Sequence, residues 1–429
     1  MISGKQLLAV LVGAALGAGG WLAGSRKAAT GGGADAEGLD NQLRIAGEEI
    51  ALLEKENASL RSLAQGGGEV AVPPELIAMV EKDYGLTFLS SPVFHMIASE
   101  ELGYRVEAAI ESRMGPQGVD DRQEAWQRMG LLRKGDKLLE MMSAVRSVGA
   151  VGWFDEETGD GWVTDKFDLE NIPDQAAALR LLVRILLNQH FPPAAAYPGD
   201  DAAWAREALH AGAASGAEAR FYAASARGIG FLPTNDNSAA ARLLLVLPEF
   251  LQGLAVFPAV SGKGLSDTYF VKGTEEFAEG MRKPPVNTFA VVLPGEEPRG
   301  GAIDFPEMPD ETYLKENLGY LGLRLWVEMA GDVGLGEELA REWVRDGYVL
   351  FGDGEMSSGL VWDVELESAE GAGKFQEVAR SIASVLAMEE PERKYEVVRI
   401  SEKRVRFLNV VSDKALGTLN PQISTLNEE

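Results

Sequence analysis

Residues 174–191 read DQAAALRLLVRILLNQHF, and this stretch decides how the rest of the chain is organised. Its apolar residues recur at helical spacing and cover so much of the surface that the helix belongs inside a protein, not on it. Its two internal charges, Arg180 and Arg184, are four residues apart and therefore share one helix face. A second helix, very rich in alanine, is predicted over 202–227 and a third over 243–257. Just before the first lies 151–164, VGWFDEETGDGWVT. It reads as a β-hairpin, two aromatic-rich strands around a Glu-Thr-Gly-Asp-Gly turn. Helical spacing is also found in 75–84, 92–113, 120–132, 135–150, 311–330, 336–346 and 370–387. A strand pair is predicted over 347–366 around Gly352-Asp353-Gly354, with short strands at 395–400 and 404–411. The fold class is α+β and predominantly helical, with a small C-terminal α+β subdomain.

Composition narrows the function. The chain has 429 residues, with 40 Lys and Arg against 66 Asp and Glu, a net charge of −26. So acidic a protein has no surplus cations to displace counterions from phosphates, which argues against nucleic acid as a partner. With no cysteine there are no disulfides, thiolate metal sites or thiol nucleophiles. Only His95, His190 and His210 can supply imidazole.

The first seventy residues are organised differently. Leu7 to Gly24 is an uncharged run bounded by Lys5 and by Arg26-Lys27, close to the ~20 residues that span a bilayer. Residues 1–27 are expected to be an uncleaved membrane anchor; a secretory signal peptide is the rival reading. A Gly-rich spacer follows over 28–37. Over 38–65, Leu39, Leu43, Ala46, Ile50, Leu53, Asn57, Leu60 and Ala64 alternate at spacings of four and three. That is a heptad seam, and Asn57 at an a position favours a parallel homodimer through Leu43, Ile50, Leu53, Asn57 and Leu60. The globular part is expected to divide into 72–330 and 331–415, followed by a tail, 416–429.

Five short motifs in order resemble a family of exported bacterial proteins with a zincin-like metallopeptidase domain. They are the hairpin Gly152-Trp153-Phe154-Asp155-Glu156-Glu157-Thr158-Gly159 and the helix tail Asn188-Gln189-His190-Phe191. Phe257-Pro258 with Gly262 and Pro284-Pro285-Val286-Asn287-Thr288 with Leu293-Pro294 follow, then Glu342 to Leu350. The resemblance implies a zincin-like helical domain carrying HExxH. In such a site two imidazoles four apart hold zinc, a glutamate activates water, and the next helix supplies a third ligand. Aligned on Gln189-His190-Phe191, this chain has Arg180 and Arg184 at the histidine positions. Leu181 stands at the general base and Ala211 at the third ligand. Guanidinium has no lone pair to donate, so the substitution inverts the charge of the site.

Glu207 and Glu218 on the alanine-rich helix are the candidate counter-charges for the two arginines, with a bound anion such as a peptide carboxylate as the alternative. His190 lies six residues after Arg184 and is expected in a packing or supporting role; His210, next to the third-ligand position, is the other cleft candidate. His95 reads as a surface residue, Glu156-Glu157 as a solvated pair, and Asp155, Asp160 and Asp165 as at most a loose calcium site. Ser261-Gly262-Lys263-Gly264 lacks the phosphate-loop frame. The expectation is a non-catalytic, metallopeptidase-like envelope protein with no cofactor and no metal. It would be a single-pass protein with an extracytoplasmic ectodomain that binds a peptide or protein partner. The alternatives are an active zinc peptidase with a relocated site and a structural coiled-coil spacer.

Overall fold

In the computed structural model, residues 68–193, 199–229, 238–354 and 357–420 are described. The anchor, spacer and coiled coil expected over 1–65, including Leu43, Ile50, Leu53, Asn57 and Leu60, lie outside them. No helix among the described residues is long and apolar enough to cross a membrane.

The polypeptide from 67 onward forms one compact, mainly helical α+β unit. Its helices are α1 (Pro74–Tyr84), α2 (Leu102–Met114), α3 (Pro116–Arg128), α4 (Leu138–Ser147), α5 (Ile172–His190), α6 (Asp200–Ile229), α7 (Ser238–Val246) and α8 (Glu249–Phe257). After a π-helical turn, Pro258–Gly262, come α9 (Lys263–Phe270), α10 (Thr274–Arg282), α11 (Thr288–Val292), α12 (Gly319–Glu328), α13 (Val333–Arg341), α14 (Ala369–Glu389) and α15 (Asp413–Leu419).

A four-stranded sheet runs in the order β1 (Glu69–Val70), β2 (Phe94–Ile97), β4 (Gly161–Thr164), β3 (Gly152–Phe154). The β3–β4 hairpin sets Trp153 opposite Trp162, and β4 pairs in parallel with β2. This sheet lies on α5. The fit is close: a Cβ at Gly152 would stand 2.9 Å from Leu181 Cδ1, so a side chain there would require Leu181 to shift.

The second sheet is antiparallel, in the order β5 (Thr312–Glu316), β6 (Trp343–Gly352), β7 (Ser358–Leu366), β9 (Arg404–Val410), β8 (Lys394–Arg399). Leu360, Trp362 and Val364 face the main core, where Trp362 meets Trp326 edge-on at 4.9 Å. Val361 on the opposite face joins a smaller core with Leu408, Ala415 and Leu419.

Several expected elements differ from those observed. Residues 94–97 are a strand, because the apolar run Phe94 to Ile97 finds backbone partners on both β1 and β4, and the helix begins only at Leu102. Residues 312–316 are likewise a strand on the edge of the second sheet. Gly319, at φ 67°, then turns the chain into α12. Pro248 divides the helix expected over 243–257, and the last expected helical residues before 347 already belong to β6. No boundary falls at 330: β5 joins the C-terminal sheet, and α12 packs on α13 across it. The expected tail begins within α15, whose Ala415 and Leu419 are fully buried.

Candidate functional site

Helix α5 is held between the first sheet and α6, so most side chains at its centre are buried. Arg184 extends from this centre with a side chain only 9% exposed. Its two terminal nitrogens donate to both oxygens of Glu207 on α6, at 2.9 and 2.8 Å, and Nη2 also donates to Glu156 Oε1 at 2.8 Å. Glu156 comes from the hairpin turn and accepts on its other oxygen from Arg113 of α2 at 3.0 Å. The guanidinium also lies 5.1 Å from the centre of the Phe154 ring. Four segments, α2, the hairpin, α5 and α6, thus meet on one charge cluster. One helical turn away, Arg180 is more exposed and approaches Glu218 at 3.6 Å.

The two carboxylates are unequal. Burial and the nearby Glu207 charge push Glu156 up from the usual carboxylate range. Burial works the same way on Glu207, but the bidentate Arg184 outweighs it and holds Glu207 below that range. Glu157 takes no part; of the acidic pair, the turn delivers only Glu156. Asp155 shapes that turn by accepting from the Glu157 amide at 3.0 Å and from Arg105 at 2.8 Å. Asp160 meets His95 at 3.3 Å, and Asp165 accepts from the Ser99 amide at 3.0 Å. These three aspartates therefore face different partners instead of converging on a cation. Among the described residues, no group of three or more His, Asp or Glu is placed to hold a metal ion.

Leu181 is fully buried under the hairpin, and Ala211 is half-buried. The adjoining Gly212 has a packing role: a Cβ there would lie 2.2 Å from the carbonyl carbon of Gly262. A Cβ at Gly262 would in turn lie 2.0 Å from the Ala208 carbonyl oxygen, so α6 and the π-helical turn touch backbone to backbone. His190 points away from the cluster, donating from Nε2 to the Thr87 carbonyl at 2.8 Å, while Gln189 accepts from the Leu89 amide at 2.8 Å. The Asn188-Gln189-His190-Phe191 tail thereby fastens the 87–90 loop to the end of α5.

His210 does face the cluster. It is 94% buried, its Nε2 has no hydrogen-bond partner, and it lines a recess of about 260 Å³, counted to its open mouth. The interior has room for about one water-sized sphere. Burial, then the Arg206 and Arg184 charges, hold the imidazole well below its ordinary pKa, so it is neutral at pH 7. Sequence reasoning missed Glu156, Arg113, Arg206 and Asn188 as further walls of this recess. No local spacing marks them, because three of the four come from segments other than α5.

The N-terminus of α6 carries a second charged cluster. Arg122 Nε donates to both oxygens of Asp200, at 3.0 and 2.9 Å, and its Nη2 bonds Glu316 of β5. Burial and the Asp200 charge push Glu316 up to about 7. Next to it, Asp201 is fully buried and accepts on Oδ1 from the amide and hydroxyl of Thr288, while its Oδ2 has no partner. Burial pushes its carboxyl up to about 7, with the Asp346 and Asp200 charges adding to the shift. Asp346 accepts four bonds: from the Leu318 and Gly319 amides at 2.9 and 2.8 Å, and from the Trp343 and Trp362 indoles at 3.0 Å each.

Comparison of the chain with protein-family models, curated proteins and solved structures returns no match.

Proposed function

We propose that this chain is a non-catalytic, metallopeptidase-like protein of the cell envelope, anchored through residues 7–24 and paired through 38–65. Its unit from 67 onward would serve to bind a peptide or protein partner. The observation that carries this reading is Arg184. At the place where the resemblance implies a zinc ligand stands a guanidinium clamped by Glu207 and Glu156. A cation could enter only by displacing it, and the protonated Arg184 would repel that cation. The carboxylates nearest the position are thereby engaged as structural partners. Leu181, at the implied general-base position, is buried in apolar contact and has no proton-accepting group. The scaffold around the cluster is nonetheless complete, since the core and not a metal carries the burial of a unit this large.

The test is the zinc content of the purified full chain after exposure to excess zinc and desalting, together with hydrolysis of a mixed peptide library. Zinc far below one ion per chain and no metal-dependent cleavage are expected. Stoichiometric zinc with chelator-sensitive cleavage would refute the proposal and put His210 at the centre of a relocated site.

A further inference from the structure

Strand β5 and the loop that leads into it enclose a groove of about 570 Å³, counted to its open mouth, on the face of the second sheet that carries the smaller core. Its floor is Val349 of β6, and Phe305 and Met308 of the loop form an apolar wall. A β-bulge builds the opposite wall. Thr312 pairs with Phe351 and Lys315 with Val349, and the register shifts between residues 312 and 314. Residues three apart in a regular strand face opposite sides. The extra residue of the bulge puts Thr312 and Lys315 on one side, and both line the groove. The loop is fastened at two points, since Arg404 donates to the Asp304 carbonyl at 2.8 Å and Lys414 to the Pro309 carbonyl at 3.3 Å. The groove is therefore formed before any ligand arrives.

Two charges of opposite sign line this groove, Lys315 and Asp304. The Lys315 ammonium lies 5.7 Å from the centre of the Phe305 ring. Among the described residues neither Lys315 nor Asp304 has an ionic partner, and the two do not pair with each other. A purely anionic or purely cationic ligand would meet one attractive and one repulsive charge, whereas a zwitterion satisfies both. We infer that the groove binds a free amino acid with an apolar side chain, its carboxylate on Lys315, its ammonium on Asp304 and its side chain on Phe305, Met308 and Val349. Apolar burial supplies most of the affinity, and the two charges set the orientation. The inference goes beyond the reading of Arg184 and is independent of it.

The experiment titrates the full chain with L-phenylalanine, read by calorimetry and thermal unfolding. Phenethylamine, which lacks the carboxylate, and 3-phenylpropanoate, which lacks the ammonium, are titrated in parallel. Saturable binding of phenylalanine is expected, with each of the two truncated compounds about tenfold weaker. Lys315→Met keeps an apolar stem and removes the charge; it should weaken phenylalanine about tenfold without weakening phenethylamine. Asp304→Asn should weaken phenylalanine similarly without weakening 3-phenylpropanoate. Both positions are exposed, so both variants should fold. N-acetyl-L-phenylalanine amide carries the same side chain in a peptide frame with neither charge. Its binding as tightly as the free amino acid would overturn the inference in favour of an internal peptide segment. Phenylalanine giving neither saturable heat nor a rise in unfolding temperature would overturn it outright. So would equal phenylalanine affinity in the parent and both variants.

Discussion

Asp201→Asn should make the protein's stability less dependent on pH. Asp201 is fully buried at the start of α6, and its carboxyl is pushed up from 3.8 to about 7. An acid with a raised folded-state pKa binds its proton more tightly when folded. Its stabilising contribution is complete below the unfolded value, near 4, and declines as pH rises to 7; above 7 it is flat. Three units of pKa correspond to about 4 kcal/mol, so the ionised carboxyl destabilises the fold by about 4 kcal/mol at pH 8 and about 2 kcal/mol at pH 5. Asparagine keeps the Oδ1 that Thr288 donates to and cannot ionise. The difference in stability between D201N and the parent should therefore shift in favour of the variant by about 2–3 kcal/mol between pH 5 and pH 8. Asp346 and Asp200, whose charges add to the Asp201 shift, are present in both proteins and enter the difference only through their coupling to Asp201. Urea unfolding followed by tryptophan fluorescence at the two pH values measures it. A difference that stays constant from pH 5 to pH 8 would show that Asp201 is ionised throughout and refute the reasoning.

The same exchange should act oppositely at Asp346. An amide there places a donor against two existing donors, so D346N should lose about 3 kcal/mol in the same unfolding assay; a neutral outcome would mean that the four-donor arrangement is not formed. Arg184→Leu leaves Glu156 and Glu207 without their shared cation and should lose about 3 kcal/mol at pH 7. Because Glu207 is held below its ordinary range, that loss should shrink as pH falls through the carboxylate range. An equal loss at pH 4 and pH 7 would contradict the ion-pair account. Gly262→Ala forces a Cβ into the Ala208 carbonyl and should lose ~3 kcal/mol or more in thermal unfolding. Gly264→Ala, where nothing lies within 4 Å, should be neutral or stabilise by up to ~1 kcal/mol.

The extent to which the architecture can be read from sequence depends on how far apart the contributing residues lie. Helix α5 is legible because its periodicity is local, and so is the hairpin, whose aspartate and glycines shape a turn within five residues. The common face of Arg180 and Arg184, and the need for counter-charges on α6, follow from the four-residue spacing and the acidic residues of the next helix. The strands β2 and β5 are not legible in this way. Their short apolar or amphipathic runs suit a helix equally well, and only partners more than twenty residues away, β1 and β4 for one and β6 for the other, decide the matter. The charged site divides along the same line. Sequence alone determines that no HExxH pair is present, since the chain's three histidines, His95, His190 and His210, are nowhere four residues apart. Tertiary structure decides that Glu156 is drawn into the cluster while Glu157 is not, and that Arg113 and Arg206 wall the recess. It also decides that His210 is buried with a nitrogen unpaired and that three buried carboxylates, Asp200, Asp201 and Asp346, gather around α6 and α12. Each of these depends on desolvation and on charges brought together from distant segments, and neither quantity is set until the chain has folded.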